Sequence, residues 1–551
     1  MFISKLLDNC SKYGNQVSLI SKNGEQFTWT DYLMKVIKVS ASLNSLGVSQ
    51  GDSIIIQGSN GPKWFWIAMA SMYLNCILIP LPVRNIDSLK IKKIVKDNKV
   101  SLIFCDKVDS WKTLKNKYIV QILSRVEKKN SQSKSKENSS NHYFTWEHFL
   151  ELGGDNYLKP IILKNQNIVW KLAKESSWSL KNHPQLYSIS HQQLENVVST
   201  YQANYGLSGG KMISYLSLTQ INVLIFDFLY SLDSISAVYF CDSQTKDQIP
   251  MLIREIKSVQ PIFFYSVPII WNQLKHHYNE HLNQYQFYFS IHVIFQAIQF
   301  INRQFHSNLY DKHKNTFIFY IFIGLYYICR WITRHFKKKI GLHKCQIFTN
   351  IYQHLNTETL KFFCGLDMPI YQIYGTLETA GLISLGNVYS TSDVGFPIMQ
   401  VSITDENQIL VKGRNLNEKI IHDDRGWFYT GDCGKLLQDG QLQIFGPENK
   451  NDQEFTKIEF FFKNNIDYLE SVHVKKSIYA DNNQVDIYFL INEKDNQNQD
   501  IAVWINKFNN NWREYHFQIN DFKIINQLNT FNDKCRDSLG KLEKNWFQEF
   551  L

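Results

Sequence analysis

Two carboxylates set among small residues are the side chains whose type and spacing could do chemistry. Asp432 closes Thr430-Gly431-Asp432 and is followed by Cys433-Gly434, and Glu378 comes shortly after Tyr374-Gly375. Either carboxylate is an acceptor that a ligand or the protein's own backbone can use. The structural reading of Asp432 is a turn residue that accepts nearby N–H groups. That of the other pair is a buried Tyr374 beside a capping Glu378. A third stretch, Gly206-Leu207-Ser208-Gly209-Gly210-Lys211, has the glycines and lysine of a phosphate loop. It lacks that loop's first Gly and ends in Met212 rather than Ser or Thr, so it reads as a surface turn.

The elements around these residues follow from hydrophobic runs and punctuation. Ser53 to Ile56 reads as a buried strand, Asn60-Gly61-Pro62 as a helix start with Pro in the first turn, and Ile77 to Ile79 as a second strand. Strand, helix and strand at this spacing imply a parallel α/β unit. Val223 to Leu232 and Ala237 to Phe240 are apolar runs of core type. Residues 255–275 give a helix, a strand at Ile262-Phe263-Phe264 and another helix entered at Pro268. From Ser392 to Gly446 the texture changes to short strands and glycine turns, with a hairpin at Asp439-Gly440. A small α/β module follows from about 447, with strands near 470–478 and 485–491 and a helix near 501–511. The polar, low-complexity stretch 128–142 reads as a surface loop.

Bulk properties narrow the class. A chain of 551 residues, 44% hydrophobic and 20% charged, is globular and too long for one ordinary core. The net charge of +9 comes without zinc-finger spacing or an RNA-binding signature, which argues against nucleic acid. None of the nine cysteines forms a Cys-x-x-Cys pair, so free thiols in a reduced compartment are expected. The first residues lack the apolar stretch of a signal peptide, and Glu549-Phe550-Leu551 is not a peroxisomal address. Phe317 to Cys329 is a run of thirteen uncharged residues, too short to span a bilayer, and RWITRHFKKK follows it. It reads as a buried helix with a solvated basic end, or as a helix lying in a membrane interface with its cations on anionic headgroups.

Six segments, in order, resemble the bubblegum-type long-chain fatty acyl-CoA synthetases of the adenylate-forming, AMP-binding superfamily. Asn60 to Trp64 is similar to that family's Asn-x-x-Glu-Trp, and HYFTWEHFLELG (142–153) to the stretch before its phosphate loop. SYLSLTQI (214–221) resembles SYLPLSHI, and YSVPIIWNQL (265–274) resembles GVPRVWEKI. IYGTLETAG (373–381) keeps four of the five positions of Y-G-x-T-E, and GWFYTGDCG (426–434) with DGQLQIFG (439–446) matches the T-G-D motif and the strand after it. The resemblance implies an adenylate-forming α/β fold. Residues 1–446 would form a large AMP-binding-like domain of packed α/β sheets with a β-barrel at about 390–446, and 447–551 a small C-terminal α/β domain. It implies two half-reactions: a carboxylate attacks Mg-ATP to give an acyl-adenylate, and coenzyme A then displaces AMP. In that scheme Glu378 would bind Mg²⁺, Asp432 the ribose hydroxyls, and Tyr374 and Gly375 the nucleotide.

The same resemblance exposes departures. Where the family has a phosphate loop of the form T-S-G-T-T-G-x-P-K-G, residues 176–186 read SSWSLKNHPQL, with no glycine and with Gln185 in place of Lys. The small residues of the adenine segment are replaced by Ile351-Tyr352-Gln353-His354, and Leu377 stands for the motif's Thr. Pro447 replaces an Arg, the hinge beyond it is about seven residues shorter, and Asp533 occupies the position of the C-terminal catalytic Lys, with Lys534 beside it. An anion in place of a cation works against charge development on phosphate. The sequence therefore points to a synthetase-like pseudoenzyme acting as a scaffold or binding module, with no catalytic residue and no cofactor expected. The alternative is an active ligase using Mg-ATP and coenzyme A. Expected partners are a protein or assembly, a fatty acid or acyl-CoA, and an anionic membrane touched peripherally through 317–339. The expected location is the cytoplasm.

Overall fold

In the computed structural model, the chain is described over 2–122 with short breaks, 142–154, 167–173, 185–241, 248–284, 316–386 apart from 353, 394–447 with short breaks, position 505, and the strands 469–476, 484–491 and 518–526. The glycine-free segment through Pro184, the loop 128–141, the hinge after Pro447, and Asp533 with Lys534 lie outside the described residues. Two compact units emerge. One holds Met1–Phe264, Leu377–Gly381 and Arg414–Lys419, and the other holds Tyr265–Thr376, Leu382–Gly413 and Ile420–Leu551.

The first unit carries a seven-stranded sheet. Its spatial order is His142–Thr145, Tyr118–Gln121, Val100–Cys105, Ser53–Gln57, Ile77–Pro80, Ile168–Ala173 and Leu186–Ser190. All neighbours are parallel except the last pair. Ser53–Gln57 is buried along its whole length, as a strand covered on both faces must be, which explains its unbroken isoleucines. Pro62 opens the helix Pro62–Tyr73, where its missing N–H costs nothing. A second sheet of this unit runs Lys211–Ser214, Ala237–Phe240, Val17–Ile20 and Gln26–Thr28, parallel except for the last pair. Met212 pairs with Phe263 on its other side. Asn60 ties the two sheets, because its side-chain amide donates to Ser214 Oγ at 3.0 Å and to the Leu216 carbonyl at 2.7 Å.

The apolar run starting at Val223 folds as a π-helix over Leu224–Tyr230, every residue of it buried. Its rings interlock edge to face with those of neighbouring elements: Phe65 with Phe228 at 5.0 Å, and Phe226 with Phe263 at 4.9 Å. Gly206 is left-handed at φ 61 and caps the helix His191–Tyr205, and Gly209 and Gly210 turn the chain into the strand beginning at Lys211. The phosphate-loop look-alike is therefore a turn.

In the second unit Ile347–Asn350 and Ile370–Tyr374 pair in parallel, and Ser384–Leu385 and Phe396–Pro397 continue that sheet antiparallel. The helices Pro268–Gln284, Thr316–Ile340 and Thr357–Gly365 belong to the same unit. A four-stranded antiparallel sheet of Gln400–Ile403, Gln408–Lys412, Phe428–Leu436 and Leu442–Pro447 occupies the glycine-punctuated region. The Asp439-Gly440 hairpin closes its last two strands, with Gly440 at φ 85. Leu469–Lys476, Gln484–Ile491 and Gln518–Asn526 form a three-stranded sheet whose first pair is antiparallel and second parallel. The helix read near 501–511 lies almost wholly outside the described residues.

A buried ion pair locks the long helix of this unit. Lys337 Nζ lies 2.6 Å from Asp367 Oδ2 and donates to the Asp367 carbonyl at 3.1 Å, both side chains being almost inaccessible. Asp367 holds a left-handed backbone at φ 59, which Asp tolerates better than most residues. Asp367→Ala leaves a buried cation with only a carbonyl. It should destabilise the protein by about 3–5 kcal/mol, measured as a lower urea midpoint, whereas the isosteric Asp367→Asn should cost less.

Candidate functional site

The candidate residues fall into two sets, one in each unit. In the first unit the strand Leu186–Ser190 runs into the helix His191–Tyr205 through a capping box. The Ser190 hydroxyl accepts from the Gln193 N–H at 3.3 Å, and Gln193 Oε1 accepts from the Ser190 N–H at 2.9 Å. The other end of the Gln193 side chain donates to two carbonyls far away in sequence, Glu378 at 3.1 Å and Asn415 at 2.7 Å. Gln193 is thus fully buried with both ends bonded, and it fastens the short segments 377–381 and 414–419 to this unit. Asn196 adds a bond from its side-chain amide to the Arg414 carbonyl at 2.9 Å.

Glu378 itself sits in the 3-10 turn Leu377–Thr379, only 6% exposed. Gly381, three residues on, has φ +82, and a Cβ there would run into the Asn222 side chain. Only glycine fits, so the turn presenting Glu378 is fixed at both ends. His191, the first residue of the helix His191–Tyr205, is buried in edge contact with Phe2 at 5.3 Å. Burial, and secondarily the charge of the chain's N-terminus, push its imidazole down to about 4. Its Nδ1 lies 3.2 Å from Glu195 Oε1, but a neutral ring makes no ion pair there at pH 7.

In the second unit the structure brings together two of the sequence candidates. The Tyr374 hydroxyl donates to Asp432 Oδ2 at 2.7 Å across 58 residues of sequence. Tyr374 ends the strand Ile370–Tyr374, and Gly375 follows it directly. Asp432 lies in the strand Phe428–Leu436, where its N–H donates to Thr430 Oγ1 at 3.2 Å. The carboxylate is therefore more than a turn residue: it accepts a phenol that lies next to it only in the folded protein.

On the same sheet Gln372 organises the segment that the resemblance assigns to adenine. Its Oε1 accepts from the Leu355 N–H at 2.7 Å, so its amide nitrogen faces His354 Nδ1 at 3.0 Å. That fixes Nδ1 of His354 as the acceptor and puts the proton on Nε2. Burial pushes this histidine also down to about 4. Ile351 is fully buried and its N–H donates to the Ser266 carbonyl at 2.9 Å. Tyr352 holds a left-handed backbone at φ 72, a conformation that costs a side-chain-bearing residue about 1–2 kcal/mol. Sequence reading missed Gln193, Asn222 and Gln372. The first had a legible signal, the Ser-x-x-Gln capping box, and the other two had none.

Two histidines held neutral have a consequence for stability. Between about 4 and their ordinary value of 6.5 the unfolded chain binds a proton on each that the folded chain refuses. Stability should therefore rise with pH through that window and level off above it. The loss from pH 7 to pH 5 should be roughly 2 kcal/mol per histidine. Urea midpoints at the two pH values check this. His354→Asn should flatten the slope, and a midpoint unchanged between pH 7 and pH 5 contradicts it. Separately, Gln193→Leu strands three backbone groups and should destabilise by about 2–4 kcal/mol, read from the same titration at pH 7.

Residues 6–166 match the family described as AMP-binding enzyme. The human long-chain-fatty-acid–CoA ligase ACSBG2 is 22% identical over 472 residues, covering 80% of this chain and 68% of that protein. The Drosophila melanogaster long-chain-fatty-acid–CoA ligase heimdall is 21% identical with the same coverage, and human ACSBG1 is 24% identical over 79% of this chain and 62% of its own length. Among solved structures, the ATP-bound RpMatB-BxBclM chimera B3 superposes with a TM-score of 0.71 at 13% identity, covering 100% of this chain and 98% of that one. A benzoate CoA ligase from Burkholderia xenovorans LB400 gives 0.70 at 11% identity, covering 99% of each chain. The fold is that of the adenylate-forming ligases, residues 6–166 are similar to the AMP-binding enzyme family, and the chain is similar, along four fifths of its length, to long-chain-fatty-acid–CoA ligases of the bubblegum type.

Proposed function

We propose that this protein keeps the synthetase fold as a binding or scaffold module and has lost ATP-dependent acyl activation. The observation that carries the reading is the glycine-free stretch 176–186, where the resemblance implies a phosphate cradle. Backbone amides turn toward phosphate oxygens where glycines permit it, and Trp178 and Leu180 are not small residues. The adenine segment points the same way. Ile351 is packed away, Tyr352 brings a large ring into a backbone conformation that suits glycine, and Gln372 engages His354. Asp432, the family's ribose acceptor, takes a hydrogen bond from Tyr374. These residues do not fit Mg-ATP, and no catalytic step is derived through it.

The division of labour proposed from the sequence, a large region to 446 and a smaller module from 447, belongs to the same reading. Asp533, where the family has its Lys, would leave the second element without a cation to bring to the phosphates. Removing one such donor typically costs about a hundredfold to a thousandfold in rate. On this reading the chain serves a protein assembly, with or without a held fatty acid or acyl-CoA, in the cytoplasm or at a membrane surface.

One observation favours the second reading, an active long-chain fatty acid–CoA ligase. Glu378 is buried on a turn that Gly381 and Gln193 fix in place, as a preorganised metal ligand would be. The two readings part in a simple pair of experiments. Calorimetric titration with Mg-ATP should show no binding in the micromolar range. Purified protein with radiolabelled oleate, Mg-ATP and coenzyme A should form no acyl-CoA above background. Product that disappears in Glu378→Gln would establish the ligase instead.

A further inference from the structure

The helix Thr316–Ile340 ends in a basic, aromatic outer face whose orientation the fold dictates. Cys329, Thr333, Lys337 and Ile340 are all buried, and their spacing of four, four and three makes them one stripe. The Lys337–Asp367 pair at 2.6 Å locks that stripe inward, so the rotation of the helix is not free. Everything opposite then faces out. Tyr327 is 62% exposed, Ile328 59% and Trp331 77%. They account for three of the ten large apolar side chains exposed among the described residues, within five residues of one another, so this is a patch rather than scatter.

Cations interleave with the rings. Arg330, Arg334, Lys338 and Lys339 are exposed on the same arc, three or four residues from Tyr327 or Trp331 or on the next turn. Lys339 lies over the Phe336 ring at 6.0 Å, and Arg330 reaches loosely toward Asp367 at 3.6 Å. The 25-residue helix contains no Asp or Glu, and Lys344 follows shortly after its end. The helix itself therefore offers these cations no anion, and among the described residues Arg334 and Lys338 stand in no ion pair. Upstream the sequence carries no charged residue from Phe317 to Cys329, yet no helix among the described residues is long and apolar enough to cross a membrane.

We infer that this face docks on an anionic lipid surface, with Trp331 and Tyr327 at the headgroup level and Arg334 and Lys338 on lipid phosphates and carboxylates. Three features select a bilayer over other occupants. Tyr and Trp favour the membrane interface, where one end of the ring is apolar and the other wet. Flexible cations beside them reach the headgroups while their stems stay against apolar surface. The exposed cations Arg334 and Lys338 on that arc complement an anionic leaflet. This inference does not rest on the proposed loss of catalysis, since lipid binding is read without nucleotide or coenzyme A.

The test is sedimentation of the full-length protein with sucrose-loaded vesicles of phosphatidylcholine alone or with 30 mol% (about a third) phosphatidylserine added. The protein should partition onto the anionic vesicles, only weakly onto the neutral ones, and should be released by high salt. Arg334→Gln with Lys338→Gln should weaken the partition about thirtyfold, at ~1 kcal/mol for each cation near the surface. Trp331→Ala with Tyr327→Ala should weaken the partition onto anionic vesicles and abolish the weak partition onto neutral ones. Both pairs lie off the packed stripe, so an unchanged urea midpoint shows that the variants are folded. Binding equal on both vesicle types, binding untouched by either double variant, or absence of the folded protein from the pellet would overturn the proposal. So would self-association abolished by the same variants without vesicle binding, which would assign the face to a second copy of the chain.

Discussion

One buried side-chain amide holds together the part of the molecule on which the functional argument turns. Gln193 caps its own helix with one end and with the other holds the carbonyls of Glu378 and Asn415, residues about two hundred positions downstream. A buried amide left half-bonded costs more than its hydrogen bonds return, so either end constrains the other. The segments 377–381 and 414–419 accordingly pack with the first unit although the chain on either side of each belongs to the second. The position of Glu378 is a consequence of that constraint, and Gly381 against Asn222 removes the remaining freedom of its turn.

The second unit shows a different economy. Tyr374 and Asp432 satisfy each other, and Gln372 satisfies both His354 and the Leu355 backbone. Tyr374, Asp432 and His354 lie where the resemblance places nucleotide contacts, and each has a partner within the protein. Residues retained from an ancestral site persist when folding also uses them, and Tyr374 and Asp432 meet that condition. Gln185, Leu377, Pro447 and Asp533 are the positions that depart from the family's pattern.

Much of the fold was legible because local rules and tertiary demands agree. The isoleucine run at 54–56 could only be a strand covered on both faces, Pro62 could only open a helix, and Asp439-Gly440 could only turn a hairpin. The glycines of 206–210 were correctly a turn because each is needed at positive φ. Other features were hidden for physical reasons. The π-helix at Leu224–Tyr230 looks like any apolar run, since hydrophobicity reports burial and not hydrogen-bond register. The left-handed Tyr352 breaks local preference and is imposed by its surroundings. Partners such as Gln193 with Glu378 or Tyr374 with Asp432 are brought together only by the tertiary fold, so no window of sequence contains them. Of the candidate site, the sequence could name the carboxylates but not what they bond to.

The proposed loss of the first half-reaction can be isolated from everything after it. Oleate-dependent exchange of labelled pyrophosphate into ATP reports reversible acyl-adenylate formation without coenzyme A or movement of the C-terminal module. The account predicts no exchange above a protein-free control, in the wild-type chain and in Glu378→Gln alike. Exchange that depends on oleate and Mg²⁺ and vanishes in Glu378→Gln would contradict it.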